Sequence, residues 1–247
     1  MDNKPLWLNE YANIINKIRE KISTLQVKDE QTLEYAIIRL FSKATLSMCE
    51  IYTLLKEGYP HGAFALSRQI YETIVIMNYL IKHKTDEDLL NRFFDDVEIS
   101  KIIACRELKK TITELTNIAD SSPKDDFDEQ LQQYKKKYPN FCERDFTNYW
   151  WVYKGCSFAK LAKETDFPKN YMYKATSSVV HMSLFNSLVC VGKEQEGILI
   201  GATYDGIEQA GWYSMLCFYM AMDMLNSIFN LNLNDLISAG KTLLDKI

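Results

Sequence analysis

The chain has few of the residues that interrupt helices, since its 247 residues include only nine glycines and five prolines. Sustained alternation of polar and apolar residues would predict half-buried strands, and the long segments of this chain lack it. They carry apolar residues at helical spacing instead. The sequence therefore predicts an all-α fold. We expect one bundle-like domain over residues 1–247, with a small hairpin near residues 195–206.

Excess charge of one sign is also lacking, because 29 basic and 33 acidic side chains give a formal net charge of -4. This balance excludes a strong overall positive field of the kind used to bind a long stretch of nucleic acid. The six cysteines have no CxxC or CxH spacing that would build a zinc site or a redox pair. With no apolar signal segment visible at the amino terminus, we expect reduced cysteines and a cytoplasmic protein.

One apolar stretch, residues 211–231, has nearly the length of a membrane-spanning helix. Asp223 and Asn226 interrupt it, and no lysine or arginine lies between Lys193 and Lys241 to flank it. We therefore expect a buried core helix and no membrane insertion.

Apolar periodicity and turn signals divide the rest of the chain into helices. Residues 118–148 are rich in turn-forming and charged residues and predict an exposed, mobile insertion around one short helix. Gly58 and Pro60 predict the end of one helix and the start of the next. The predicted helices are Leu6–Leu25, a second from Asp29 or Glu30 to Lys56, Ala63–Ile81, Asp86–Leu115, a short one from Ser157, one from Pro168, and two at the carboxyl end.

Arg68 and Glu72 lie four residues apart on the most apolar predicted helix, so they share a face with Ala65, Val75 and Tyr79. We expect this face to be buried, where an ion pair loses several kcal/mol per ion in desolvation. Two interpretations follow. The pair is a structural strut, or it is a site in which Arg68 holds a phosphate or carboxylate while Glu72 positions that group or acts as a base.

His181 lies in the apolar run YMYKATSSVVHMSLFNS, residues 171–187, and shares a helical face with Ser177 and Lys174. It is either a hydrogen-bonded core residue or an acid or base at a site. A Ser177 nucleophile activated by His181 is the weaker idea, because neither an orienting third group nor an oxyanion hole can be identified.

A metal site is not expected. His61, His83 and His181 fall on different segments, and the chain has neither HExxH nor the Glu-x-x-His pair of helical di-metal proteins. No cofactor is expected either. The lysines at 135–137 are too short a run to imply binding of a phosphate backbone.

Aromatic residues gather before Gly155, at Tyr149, Trp150, Trp151 and Tyr153. Core packing is one interpretation of this cluster. A platform on which a nucleic-acid base stacks is the other.

The order of these features resembles a widespread bacterial family, the domain of unknown function 5677. The resemblance rests on Arg68-x-x-x-Glu72, on the Arg92-Phe93 pair, on the tryptophan-containing turn before Gly155, and on Tyr173-x-x-x-Ser177-x-x-x-His181-x-Ser183. It spans about residues 35–230. It implies an α-helical bacterial protein and supplies no activity.

The helix with a basic residue and a histidine is also similar to the HEPN superfamily of helical ribonucleases and toxins. Their motif is an arginine, four to six residues, and then a histidine; here Lys174 takes the basic position, with six residues between it and His181. Lysine lacks the planar fork that arginine offers to a phosphate, although Arg68 or Arg92 could supply it from a neighbouring helix. The similarity implies recognition or cleavage of RNA or a nucleotide, in a toxin or phage-defence setting.

We therefore expect a polar pocket among the helices. The catalytic candidates are His181 as acid or base, Arg68 as the group that stabilises phosphate charge, and Glu72. The ligand-binding candidates are Arg92, Tyr173, Lys174 and Ser177. A homodimer through an exposed apolar helix surface is also expected. The alternative is a non-enzymatic helical interaction protein in which the same residues form a structural network.

Overall fold

The computed structural model describes residues 4–27, 29–116, 126–139, 149–152, 157–165, 192–194, 197–199 and 202–247. The helices are α1 (Trp7–Ser23), α2 (Leu33–Lys56), α3 (Pro60–Lys82), α4 (Glu87–Thr116), α5 (Phe127–Lys137), α6 (Phe158–Glu164), α7 (Ile207–Phe229) and α8 (Asn234–Leu244). Two short strands, β1 (Gly192–Glu194) and β2 (Gly197–Leu199), pair antiparallel with Gly192 opposite Leu199. The all-α prediction is confirmed, and the hairpin begins three residues before the predicted position.

The chain divides into two compact units, one formed by Met1–Lys82 with Ala162–Ile247 and the other by His83–Leu161. The first unit contains α1, α2, α3, α7, α8 and the hairpin, and the second contains α4 and α5. That the whole chain forms one domain stays a prediction.

The core of the first unit lies where α2, α3 and α7 meet. Helix α3 contacts both α2 and α7, while α8 contacts α7 and α1 closes against α2 and α8. The rings of Phe41 and Phe218 stack with centroids 5.5 Å apart, and both side chains are fully buried. Helix α7 is thus the buried core helix expected over residues 211–231. In the described part of the chain, no helix combines the length and the apolar character needed to cross a membrane.

The turn between α2 and α3 follows the predicted chemistry. Gly58 adopts the left-handed backbone conformation, with φ of 78°, and Pro60 begins α3. The Gly58 carbonyl accepts a hydrogen bond from the Thr203 amide at 2.7 Å, and a Cβ at position 58 would lie 3.2 Å from the Thr203 backbone. Glycine is therefore required both by the backbone angle and by the close approach of the segment that leads into α7.

The second unit is organised by the long helix α4. Asp86 Oδ1 accepts a hydrogen bond from the Leu89 amide at 2.9 Å and so caps the first turn of α4. Helix α5 lies against α4 and buries Leu131. It is the short helix predicted within residues 118–148, whereas residues 117–125 and 140–148 lie outside the described residues.

Candidate functional site

Arg68 and Glu72 form the ion pair that their spacing on α3 predicts. Arg68 Nε donates to Glu72 Oε1 at 2.8 Å. The expected burial is incomplete, because the two side chains are 19% and 29% exposed, while Val75 and Tyr79 further along the helix are buried. On this face of α3, the part near Val75 and Tyr79 is therefore buried, whereas the part that carries the Arg68–Glu72 pair is partly exposed to solvent.

This arrangement fixes the orientation of a guanidinium group at a partly exposed position. Arginine has five N–H donors in a rigid plane, and a carboxylate that takes the Nε–H holds that plane in one direction. The terminal nitrogens of such a plane match the geometry of two phosphate or carboxylate oxygens. The pair can therefore serve as an oriented anion-binding group as well as a strut.

Arg92 lies in the second unit, whereas Arg68 and Glu72 lie in the first, so each is described within its own unit. The Arg92 side chain is buried, and its Nε donates to the Trp151 carbonyl at 2.9 Å. Its Nη2 lies 3.8 Å from Asp86 Oδ2. These contacts tie α4 to the tryptophan turn and favour a structural role for Arg92.

The other four candidate residues, Tyr173, Lys174, Ser177 and His181, fall within residues 166–191 and lie outside the described residues. Their roles stay predictions.

Trp150 and Trp151 are both almost completely buried. The Trp151 ring meets Phe93 edge-on with centroids 5.1 Å apart, and the Trp150 ring lies 5.3 Å from that of Tyr138. Burial of both indoles favours the packing interpretation of the aromatic cluster over a base-stacking platform. Tyr153 lies outside the described residues.

Sequence reasoning missed a polar cluster between α4 and the end of α5. Asp95 Oδ2 accepts hydrogen bonds from Lys137 Nζ at 2.6 Å and from the Tyr138 hydroxyl at 2.5 Å. The hydrogen bond to Asp95 raises the pKa of Lys137, and burial, followed by the same carboxylate, raises the pKa of Tyr138. Lys137 is therefore held charged in a structural contact. Neither Asp95 nor Tyr138 carried a sequence signal, because they are 43 residues apart.

A second carboxylate on α4, Asp96, accepts a hydrogen bond from the Trp150 indole nitrogen at 2.6 Å. Burial raises the pKa of Asp96, and the indole hydrogen bond opposes that shift. Adjacent carboxylates on one helix thus anchor two different segments, since Asp95 binds the end of α5 and Asp96 binds the tryptophan turn.

The first unit also contains buried groups that resemble reactive ones by residue type. The Tyr11 hydroxyl and Ser214 Oγ lie 2.6 Å apart, and Ser214 Oγ donates to the Ala210 carbonyl at 2.7 Å. Burial raises the pKa of Tyr11 and that of the Cys217 thiol, which disfavours the ionised, nucleophilic forms. These groups therefore belong to the packing of the core.

Among the described residues there is no group of three or more histidine, cysteine, aspartate or glutamate side chains placed to hold a metal ion.

A comparison with models of protein families places these residues in a family. The model described as "Family of unknown function (DUF5677)" matches residues 34–197. The chain belongs to this family. The DUF5677 match includes Arg68, Glu72, Arg92 and the segment that carries His181, so the family recognised from those residues is confirmed. Searches of curated proteins and of solved structures found no match.

Proposed function

We propose that this DUF5677 protein binds a phosphate-bearing ligand, RNA or a nucleotide, through Arg68 on α3, and that His181 cleaves it as the acid or base. The observation that supports this proposal is the exposure of the Arg68–Glu72 ion pair, 19% and 29%, on a helix that buries 11 of its 23 residues. Partial exposure lowers the desolvation cost of the ion pair, and it also lets a ligand reach the guanidinium group. A ligand site requires that contact.

The chemistry follows from the side chains. Glu72 orients the guanidinium plane of Arg68 through the 2.8 Å contact with Nε, so little conformational entropy is lost when the arginine binds phosphate oxygens. During cleavage, Arg68 stabilises the charge that develops on the phosphate. The His181 imidazole, as the acid or base, transfers a proton to or from the reacting group. Tyr173, Lys174 and Ser177 supply further contacts to the ligand.

Arg92 is placed outside the ligand contacts in this proposal, because its described hydrogen bond goes to the Trp151 carbonyl. The proposal requires no cofactor and no metal. Its setting is the bacterial cytoplasm, where a HEPN-like ribonuclease would act as a toxin or in phage defence.

The test is cleavage of a labelled single-stranded RNA, with binding of the same RNA followed by fluorescence anisotropy. We expect His181→Ala to abolish cleavage and to retain binding, because it removes the proton transfer and leaves the arginine. Arg68→Lys keeps the charge but loses the fork, and should weaken binding on the order of tenfold.

A matched control is Lys101→Ala, which removes one positive charge from an exposed ion pair with Glu98 on α4. It should leave both measurements unchanged. If folded His181→Ala and Arg68→Lys variants bind and cleave RNA as the wild type does, or if the wild type does neither, the proposal is wrong.

A second candidate is a non-enzymatic interaction protein, and the exposed apolar residues Leu108, Ile112 and Leu115 on α4 favour it. In that case the Arg68–Glu72 pair is a strut. Arg68→Gln would then lower the free energy of unfolding by about 0.5 to 3 kcal/mol, between the values for exposed and buried pairs, with no separable loss of activity. Thermal melting measured beside the RNA assay distinguishes the two functions.

A further inference from the structure

The carboxyl-terminal half of α4 contributes no buried side chain to the described part of the molecule. Ile99 is buried, whereas every residue from Ser100 to Leu115 is exposed or half-buried. In proteins, helices gain most of their stability from packing of an apolar face. This segment packs through half-buried residues such as Arg106, whose Nη1 lies 3.3 Å from Asp128 Oδ1 on α5, so the surface open to a further contact is its exposed side.

The exposed apolar residues of this segment lie in one line. Leu108 is 61% exposed, Ile112 is 52% exposed and Leu115 is 79% exposed, and Cys105 is exposed one turn earlier. We name these four residues the α4 seam. Successive members are separated by three, four and three residues, which is the 3.5-residue period of a coiled-coil seam.

The residue types in the α4 seam select a particular partner. The spacing assigns Cys105 and Ile112 to heptad position a, and Leu108 and Leu115 to position d. Isoleucine at a with leucine at d favours two parallel helices in which each residue meets its own counterpart. An identical helix satisfies this requirement, and so we propose that two copies of the chain associate through a parallel, two-stranded coiled coil of their α4 seams.

The flanks of the α4 seam are compatible with this pairing. In a parallel pair, Ala104 at position g faces Lys109 at position e of the other copy, so these two flanking positions bring no like charges together. Lys101 and Glu98, which are joined by a 2.7 Å ion pair, mark the polar end of the seam.

The available surface sets the strength of the association. The α4 seam extends over residues 105–115, a length of about 15 Å. A contact between two such helix faces buries less than about 1,200 Å² in total, which is the range of weak protein interfaces. The dimer should therefore dissociate on dilution.

The first test measures the mass of the full chain in solution, by sedimentation equilibrium over a series of concentrations. We expect the mass to rise from monomer towards dimer, and Ile112→Glu to restore the monomer by placing two carboxylates in the seam. Lys110→Gln changes the net charge by the same amount on the opposite side of α4 and should dimerise as the wild type does. Both positions are exposed, so both variants should keep the wild-type melting temperature.

The second test examines the parallel orientation. Counterpart Cys105 thiols would lie next to each other across the seam, so oxidation by copper(II) phenanthroline should give a disulfide-linked dimer that Cys105→Ser abolishes. A wild type that stays monomeric at every concentration, or an Ile112→Glu protein that dimerises as Lys110→Gln does, would overturn the proposal. A dimer that Cys105 does not cross-link would refute the parallel arrangement.

The dimer proposal is independent of the proposed ligand, because its measurements involve no RNA. A chain that dimerises without binding RNA contradicts the proposed function alone, and a monomer that cleaves RNA contradicts the dimer alone.

Discussion

Substituting Arg92 by methionine tests whether this arginine holds the second unit together. Methionine keeps the length and flexibility of the aliphatic stem, so the packing of the side chain is largely retained. The substitution removes the 2.9 Å hydrogen bond from Nε to the Trp151 carbonyl. We expect a folded but less stable protein.

The contacts of Arg92 give the expected loss in the free energy of unfolding. A buried hydrogen bond from a charged donor contributes about 1.5 to 3 kcal/mol, and the carbonyl left without it adds a desolvation cost of about 1 kcal/mol. The 3.8 Å contact with Asp86 adds little, because that carboxylate side chain is 47% exposed. The total is about 2.5 to 4 kcal/mol, which for a chain of this size lowers the melting temperature by about 5 to 16 °C.

Thermal unfolding followed by circular dichroism measures this loss. The control is Asp86→Asn, which removes the neighbouring charge and keeps a side-chain oxygen to accept from the Leu89 amide. It should cost less than about 1 kcal/mol. An Arg92→Met protein that melts with the wild type refutes the structural role, and a loss of RNA binding at unchanged stability would instead make Arg92 a ligand contact.

Two further predictions concern Asp96 and Gly211. Burial raises the pKa of Asp96, so the folded protein binds the proton of this carboxyl group more tightly than the unfolded chain does. Proton binding therefore stabilises the fold. The stabilisation is complete below the unfolded pKa of about 4 and is lost as the pH rises through the folded pKa. Asp96→Asn, which can still accept from Trp150, should flatten the dependence of melting temperature on pH, and a variant with the wild-type slope would contradict this. A Cβ at Gly211 would overlap the Trp7 ring, because it would lie 2.9 Å from Cζ3 and nearer still to Cη2. Gly211→Ala should therefore cost about 1 to 3 kcal/mol in strain. The higher helix propensity of alanine offsets about 1 kcal/mol of this cost. Gly62→Ala, whose Cβ would meet the flexible tip of a leucine at 3.3 Å, is the control; equal melting temperatures for the two variants would refute the clash.

The helices themselves were predictable because their signals are local. Gly58 as the end of one helix and Pro60 as the start of the next were predicted correctly, since the constraints on these residues act on their own backbone angles. The start of α2 was predicted near Asp29 or Glu30, but the helix begins at Leu33 after a Thr32 cap. Several residues in this segment can cap a helix, and sequence does not choose between them.

The sequence by itself determined the all-α class, the family and the Arg68–Glu72 contact. That contact follows from helix geometry alone, because side chains four residues apart meet wherever the helix lies. The tertiary structure decided how exposed the pair is, since exposure depends on which helices cover α3. It also decided that Arg92 bonds Trp151, 59 residues away, and that Ile99 is buried while Ile112 on the same helix is exposed. Periodicity fixes which side chains share a face, and only the packing of distant segments fixes which part of that face meets solvent.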